Sequence, residues 1–262
     1  MKPFYLLPVF IVASIAASAQ VEGGFSYSFS LPQHEMNQNI RPVHSMNIIF
    51  ISQLKKISKL SWGVEAGFGQ YASFTKDQDI RFPDGTGIST KVSYSSNVTT
   101  VGILTRFSLF KEAKVNPYLT GKLGYANFFS KVVVADPEAD DDCKPLDKKT
   151  PIHDHSFFAA YGAGLKIDVS SKKKPNNAWI DVSVNQLHGS SLNYINVKDI
   201  KEHINNDPNN PVPVSDKSVP LSMRFVNVAT QTIHEHQLAQ IYNSPLRMLE
   251  MKISVRWRLD NN

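Results

Sequence analysis

The last strand-like segment of the chain, residues 247–259, constrains the fold more than any other. From Leu249 onward, its side chains alternate between apolar and polar. One face carries Leu249, Met251, Ile253, Val255, Trp257 and Leu259, and the other carries Met248, Glu250, Lys252, Ser254, Arg256 and Arg258. Successive side chains of a β-strand point to opposite faces, so this pattern predicts one long, two-faced strand.

The length and charge of this strand indicate a membrane environment. About a dozen residues exceed the usual five or six of a strand, and they match the roughly 9–11 needed to cross a bilayer at a tilt. Three basic residues on one face are unfavourable in a packed core. They suit the polar interior of a membrane barrel whose outer surface is apolar.

Residues 1–19 have the organisation of a secretory signal peptide. Lys2 precedes an apolar run at 4–16, and an A-x-A cleavage motif stands before Gln20. The run is too short to span as a helix, and no later apolar run approaches about 18 residues. The sequence predicts a cleaved signal peptide followed by an exported domain over 20–262.

The length and composition of the chain narrow the class of protein further. The 262 residues suffice for one medium barrel. The formal net charge of +5 comes from scattered lysines and arginines without a nucleic-acid motif, so we predict no nucleic-acid partner. Cys143 is the only cysteine, which excludes an internal disulfide.

Seven earlier segments repeat the alternation of apolar and polar side chains. They cover residues 25–31, 43–54, 59–74, part of 89–110, 117–134, 155–170, and 177–187 or a little beyond. In the third segment, Gly63, Gly67 and Gly69 share the polar face, which indicates crowding there. With the closing strand, these segments predict an all-β, eight-stranded antiparallel up-and-down transmembrane β-barrel.

The connections between these segments alternate in length. Short ones cover 55–58, 111–116 and 171–176, and long ones cover 32–42, 75–87, 135–152 and 196–244. Bacterial outer-membrane barrels have short periplasmic turns and longer extracellular loops. The pattern therefore predicts the cell outer membrane, with both chain ends on the periplasmic side. The longest loop, about 196–244, contains an apolar stretch at 219–228 and a pattern that predicts a helix at 231–242.

Three stretches carry a family resemblance: PYLTGKLGY at 117–125, AYGAGLK at 160–166, and the closing strand at 253–259. They resemble the small eight-stranded OmpX/OmpA-like barrels, and particularly the Bacteroidota outer-membrane β-barrel family, over nearly the whole mature chain. The resemblance implies two partners, outer-membrane lipid and the barrel-insertion machinery. The family usually closes on a strand that ends in an aromatic residue, whereas five residues follow Trp257 here.

The polar faces of the predicted strands carry charges of both signs. They are Glu65, Arg106, Lys122, Lys166, Asp168, Asp181, Glu250, Lys252, Arg256 and Arg258. The interior of an eight-stranded barrel is about wide enough for side chains to fill, and buried charges are tolerated when they are paired. We therefore predict a lumen filled by salt bridges, with an open charged conduit as the alternative.

Two histidine pairs, His153/His155 and His234/His236, have the spacing that places both side chains on one face of a strand. Such a pair can bind a metal ion, but solvated loop histidines explain these residues as well. The acidic stretch at 136–142 lacks the ordered spacing and glycine of an EF-hand loop. We predict no metal site.

Some eight-stranded barrels are lipid-modifying enzymes that use a histidine and a serine near the outer rim. His153, His155 and Ser156 occupy a comparable zone. No nucleophile elbow, glycine-rich phosphate loop or zinc-binding helix motif accompanies them. We predict no catalytic residues, no cofactor and no enzymatic activity.

The leading functional hypothesis is a structural or binding role through the extracellular loops, with a protein partner in the outer membrane or at the cell surface. A second is an accessory barrel of a larger outer-membrane assembly, such as a PorT-like component of type IX secretion. A third is a soluble lipocalin-like carrier, because alternation alone does not fix which face points outward. The long strands and the charges opposite the aliphatic face favour lipid outside.

Overall fold

The computed structural model describes residues 21–54, 57–81, 87–110, 113–135, 145–171, 177–198, 218–226 and 233–259. Within these ranges lie β1 (Val21–Pro32), α1 (Glu35–Asn39), β2 (Val43–Gln53), β3 (Leu60–Arg81), β4 (Gly87–Ser108), β5 (Val115–Ala135), β6 (Pro145–Asp168), β7 (Ala178–Ile195), β8 (Ser218–Val226) and β9 (Ile233–Arg258). The proposed signal peptide at 1–19, the acidic stretch at 136–142 and Cys143 lie outside the described residues. No helix in the described ranges has the length and apolar character to cross a membrane.

Eight of these strands close into a barrel. Each of β1 to β6 pairs antiparallel with the next strand, β7 pairs with β9, and β9 pairs back with β1. Closure gives the backbone groups of the wall partners within the wall, as the interior of a lipid bilayer requires. The predicted eight-stranded, up-and-down, all-β barrel is confirmed.

The strands are strongly staggered around the barrel. The register that starts at Gly23 runs through all eight strands to Arg247, whose carbonyl oxygen accepts a hydrogen bond from the Gln33 backbone nitrogen at 2.9 Å. One circuit thus shifts the register from residue 23 to residue 33, a displacement of ten residues. Such a stagger tilts the strands, typically by about 35–45°.

The predicted faces of the strands are confirmed. On β9, Ile253 and Val255 are about half exposed on the outside, whereas Lys252 and Arg256 are buried inside. The alternation that the sequence blurs at 48–51 also holds, because Ile48 is exposed outside and Ile49 is buried inside. We call the end of the barrel that has the short connections, the start of β1 and the end of β9 the near end, and the opposite end the far end.

The polarity of the two faces reverses along the strands. Near the middle of β5, Leu123 points outward and Lys122 inward, but further along Lys131 points outward and Val132 inward. The far halves of the hairpins therefore enclose an apolar core beneath a polar exterior. This far core includes Met36, Ile40, Val43, Tyr71, Tyr94, Phe128, Val132, Ile152, Leu192, Tyr194 and Leu246.

The strands extend further than the sequence predicts. β3 and β4 continue to Arg81 and from Gly87, so the prediction that 75–87 is a loop is wrong for most of that segment. β6 begins at Pro145, inside the predicted loop 135–152, and β7 continues to Ile195. In these far halves the exposed face is polar, which makes the sequence look like that of a loop.

Residues 196–244 contain further strand structure. β8 and the first part of β9 lie in this segment and pair with each other, so the predicted helix at 231–242 is wrong. The β1–β9 pairing ends at Pro32 and Met248, and β8 takes the same edge of β9 further along, from Tyr242 onward. Backbone groups on that edge of β9 thereby gain partners that β1 no longer supplies.

The predicted loop at 32–42 contains α1. Two apolar side chains of this region, Met36 and Ile40, are fully buried in the far core. Asn39 links the helix to β7, because its side-chain amide lies 3.3 Å from the hydroxyl of Tyr194. The helix thus helps to cover the apolar interior at the far end.

Candidate functional site

Asp181 of β7 is the centre of a buried charge cluster in the lumen. Its Oδ2 accepts hydrogen bonds from Arg106 Nη1 at 2.6 Å and from Arg256 Nη2 at 2.5 Å. Its Oδ1 accepts a hydrogen bond from the Tyr118 hydroxyl at 2.5 Å. The carboxylate is completely buried and bonds to groups from three other strands.

The same cluster extends toward the near end through Glu22. The Glu22 carboxylate accepts hydrogen bonds from Arg256 Nη1 at 2.6 Å and from Lys166 Nζ at 2.5 Å. Lys166 Nζ also lies 3.9 Å from the ring centroid of Trp179. The near charge cluster consists of Glu22, Arg106, Tyr118, Lys166, Asp181 and Arg256.

A second group, the far charge cluster, consists of Glu65, Lys122, Glu250, Lys252 and Asn185. Lys122 Nζ and Lys252 Nζ lie 2.7 Å and 2.6 Å from Glu65 Oε1, and each lies 3.3 Å from Glu250 Oε1. The Asn185 amide donates to Glu250 Oε1 at 3.0 Å. Two lysines thus face two carboxylates, and all five side chains are buried.

The two clusters follow one another along the barrel. Lys252 and Arg256 are four residues apart on β9, as are Asn185 and Asp181 on β7, which corresponds to roughly 13 Å along a strand. Acids and bases from opposite walls meet in both clusters. The prediction that the inward charges pair with each other is confirmed for these residues.

The sequence reading missed two members of the near charge cluster. Glu22 precedes the predicted first strand at 25–31, and Tyr118 is an aromatic residue next to the start of the predicted strand 117–134. The alternation of faces along a strand identifies both. Glu22 is four residues before the inward Ser26, and Tyr118 is four residues before the inward Lys122, so each shares the inward face. Asp168, predicted in the lumen, accepts a hydrogen bond from the Ser170 backbone nitrogen at 2.8 Å.

The histidine and serine candidates on β6 do not converge. His153 and His155 are exposed on the outside, whereas Ser156 is buried and donates to the Ser190 carbonyl at 3.0 Å. Of the pair His234/His236, the backbone lies in β9 and the side chains lie outside the described residues. Among the residues that the structure describes, no three potential metal ligands come together.

Asp154 ties the far ends of β6 and β7 together instead. Its carboxylate accepts hydrogen bonds from the Asn193 backbone at 2.8 Å, the Asn193 amide at 2.7 Å and the His155 backbone at 2.7 Å. Burial acts to raise the pKa of Asp154, but these hydrogen bonds outweigh it and hold the pKa below its usual value. The role of Asp154 is therefore structural.

Aromatic side chains and histidines lie on the outside of β1, β2, β5, β6 and β7, where the exterior changes from apolar to polar. This far girdle consists of Tyr27, Phe29, His44, Tyr125, His155, Phe157, Tyr161 and His188. It contains three histidine–tyrosine pairs, with ring centroids 6.1 Å apart for His44 and Tyr27, 5.3 Å for His155 and Tyr125, and 5.9 Å for His188 and Tyr161. In each pair the histidine stands two residues beyond the cross-strand partner of the tyrosine, toward the far end.

The outside between the far girdle and the near end is an apolar belt. On β9 the belt runs from Leu249 to Trp257, nine residues, which fits the roughly 9–11 that a tilted strand needs to cross a bilayer. Trp257 packs against Phe25 at the near end, with ring centroids 5.8 Å apart. An apolar band between aromatic girdles is the exterior of an outer-membrane barrel.

These features together define the class of protein. A closed barrel of eight strands has an apolar belt outside, paired charges inside and short connections at the end where β1 begins and β9 ends. The protein is an outer-membrane β-barrel. Because the longer hairpins of such barrels are extracellular, the far end faces the outside of the cell.

The sequence matches no protein-family model and no curated protein. Among solved structures, the chain is similar to Neisserial surface protein A, with 9% identity, a TM-score of 0.40, and coverage of 91% of this chain and 96% of that chain. A major outer membrane protein from Thermus thermophilus matches with 9% identity, a TM-score of 0.39, and coverage of 90% and 99%. Ail, the attachment invasion locus protein of Yersinia pestis, matches with 12% identity, a TM-score of 0.32, and coverage of 91% and 97%. These likenesses are distant, and the architecture rests on the strand pairing and side-chain orientation of the chain itself.

Proposed function

We propose that the protein is a non-enzymatic outer-membrane barrel that acts through its extracellular half, in a structural or binding role. The observation that carries this proposal is the contrast between the two halves of the barrel. The membrane-spanning half holds two buried charge clusters, whereas the far hairpins continue past the far girdle and enclose a core of their own. A rigid scaffold that presents such hairpins is a common platform for recognition.

The lumen supports this proposal because its charges are engaged with each other. A conduit for solutes needs charged groups that face water, but Lys122 and Lys252 are held by Glu65, and Arg106 is held by Asp181. At the level of the belt, the apolar side chains point outward to lipid, whereas the two charge clusters point inward, which is unlike the apolar interior of a lipocalin-like carrier. The soluble-carrier alternative is therefore not favoured.

An accessory role in a larger assembly is the second candidate. The polar exterior of the far hairpins offers a surface to another protein, with exposed side chains such as Ser73, Asp77 and Asn193. A PorT-like role, and membership of the Bacteroidota family, rest on the sequence resemblance at 117–125, 160–166 and 253–259. Capture of a stoichiometric partner from native outer membranes would favour this candidate.

The proposal is tested by shortening the far hairpins one at a time. Ala72 and Ser96 are direct cross-strand partners, so a tight turn that joins β3 to β4 there removes the far part of one hairpin and leaves the belt unchanged. We expect shortened barrels to insert but to lose the bound partner or the envelope phenotype of the wild type. Full retention of both by every shortened variant would place the function in the membrane-spanning half and contradict the proposal.

The first prediction concerns export and insertion. We expect a mature chain that begins near Gln20 and fractionates with the outer membrane, because the closed and apolar belt is stable only in lipid or detergent. The folded barrel should migrate differently on gels before and after boiling, and N-terminal sequencing should locate the cleavage site. Recovery of folded protein from the periplasm without detergent would contradict this placement.

The second prediction concerns conductance. We expect the purified barrel to pass little current in planar bilayers, because both buried charge clusters cross the lumen. An open general porin in the same bilayers serves as the positive control. Steady, large conductance, or swelling of liposomes in sugar solutions, would show an open lumen.

A further inference from the structure

An exposed basic pair lies on the outside of the barrel, on two neighbouring strands. His188 of β7 and Arg247 of β9 are direct cross-strand partners and both are exposed. Side chains in such positions have Cβ atoms roughly 4.5–5.5 Å apart. The Tyr161 ring is stacked on His188, with centroids 5.9 Å apart and planes inclined by 11°. An imidazole, a phenol and a guanidinium therefore share one exterior patch.

This patch lies at the extracellular edge of the apolar belt. Toward the near end, the next exposed pair with large apolar side chains is Val184 and Met251. Toward the far end, the exposed side chains on the same strands include Ser191 and Asn243. The patch thus sits at the level of the lipid headgroups in the outer leaflet.

A fixed polar contact borders the patch. The Gln186 amide donates to Gln33 Oε1 at 2.7 Å, which links β7 to the residue that follows β1, across β9. The Gln33 backbone nitrogen in turn donates to the Arg247 carbonyl oxygen at 2.9 Å. The backbone around Arg247 is therefore held in place where the apolar belt ends.

Within the described part of the chain, no acidic side chain forms an ion pair with Arg247, in contrast to Arg106 and Arg256 in the lumen. A guanidinium presents a planar fork of donors that suits the oxygens of a phosphate. Tyrosine and histidine add further donors beside it.

We propose that Tyr161, His188 and Arg247, bordered by Gln186 and Gln33, form a binding site for the phosphate of a lipid headgroup in the outer leaflet. This lipid-site proposal depends on the proposed function in one respect only, namely that the barrel lies in the outer membrane. The other two histidine–tyrosine pairs of the far girdle are internal comparisons, because His44 is paired across the strands with Phe29 and Gln70, and His155 with Asn127. None of these partners is basic, so the arginine distinguishes this site.

The test measures unfolding of the inserted barrel in vesicles of phosphatidylcholine with and without phosphatidic acid, whose headgroup is a bare phosphate. We expect phosphatidic acid to slow unfolding of the wild type about tenfold, the effect of one charge-assisted contact with the folded state. Arg247→Gln should lose most of this effect and His188→Gln part of it. Free inorganic phosphate added to phosphatidylcholine vesicles should not reproduce it, because the site takes phosphate presented at the bilayer surface.

Two matched variants separate a site from general attraction between a basic protein and an anionic membrane. Lys131→Gln removes an exposed basic residue further along β5 than the far girdle, and His155→Gln removes the histidine of a pair without arginine. Both should keep the full effect of phosphatidic acid. An equal loss in Lys131→Gln, an unchanged effect in Arg247→Gln, or a full effect of free phosphate would overturn the proposal. Failure of the lipid-site proposal can be distinguished from failure of the outer-membrane location. In the second case the barrel would not insert into either kind of vesicle and would show no heat-dependent gel shift.

Discussion

Asp181→Asn should destabilise the barrel by about 3–5 kcal/mol, the usual cost of removing one partner from a buried ion pair. The asparagine keeps the shape of the side chain but not its charge. Arg106 and Arg256 would then lose the carboxylate that lies 2.6 Å and 2.5 Å from their Nη atoms. Arg256 keeps Glu22, whereas Arg106 keeps no other ion-pair partner within the described part of the chain. Reversible unfolding by urea in lipid vesicles measures the change.

Ser183→Ala is the matched control, because Ser183 is the next inward residue on β7 and is equally buried but uncharged. Its effect should stay at or below about 1 kcal/mol, because the substitution breaks no ion pair. A double variant with Arg106→Met should recover part of the loss caused by Asp181→Asn, since it removes the unpaired charge. A loss below about 1 kcal/mol for Asp181→Asn would show that water reaches the near charge cluster.

Val64→Arg should cost about 2–4 kcal/mol, the range for a basic residue placed on the lipid-facing side near the bilayer midplane. Val64 points outward in the middle of the belt on β3, and its cross-strand partner Ile103 is exposed on β4. Ile103→Arg should therefore behave in the same way. Unfolding in lipid vesicles gives both values directly.

The control for this prediction is Ser73→Arg, on the same strand and also on the outside, but beyond the far girdle. It should change the stability by no more than about 0.5 kcal/mol, as is usual for exposed substitutions. Gly63→Ser, which adds a side chain to the lumen face beside Val64, is a poor control because its Cβ would overlap the Phe50 carbonyl oxygen. If Ser73→Arg cost more than Val64→Arg, the belt would not be where the structure places it.

The membrane-spanning part of the fold is predictable from the sequence because one rule covers it. Each strand there alternates between lipid and lumen, so the period of two is visible in residues such as Ile253 and Val255 against Lys252 and Arg256. Outside the membrane the same alternation persists with its polarity reversed. In β4, for example, Ser93 and Ser95 are partly exposed and Val92 and Tyr94 are buried, and short polar residues of this kind look like a loop.

The pairing of the lumen charges is not predictable in the same way. The sequence shows which charges point inward, but the partners depend on the stagger of the strands around the whole barrel. Glu22 and Lys166, for example, are 144 residues apart and meet across the lumen. The far part of β9 illustrates a related limit, since the sequence does not show that β8 pairs with β9 where the pairing with β1 has ended at Pro32.

The reversal of polarity along the hairpins has a consequence for how deeply the protein sits in its membrane. Sliding outward would lift the apolar belt into water, and sliding inward would drag residues such as Lys131 and Asp77 into hydrocarbon. Both displacements are opposed, so the immersion depth is fixed by the protein and not by its neighbours. A bilayer thicker or thinner than the belt must deform around it. The barrel therefore imposes its own local membrane thickness, and it holds its extracellular hairpins at a constant height above the lipid.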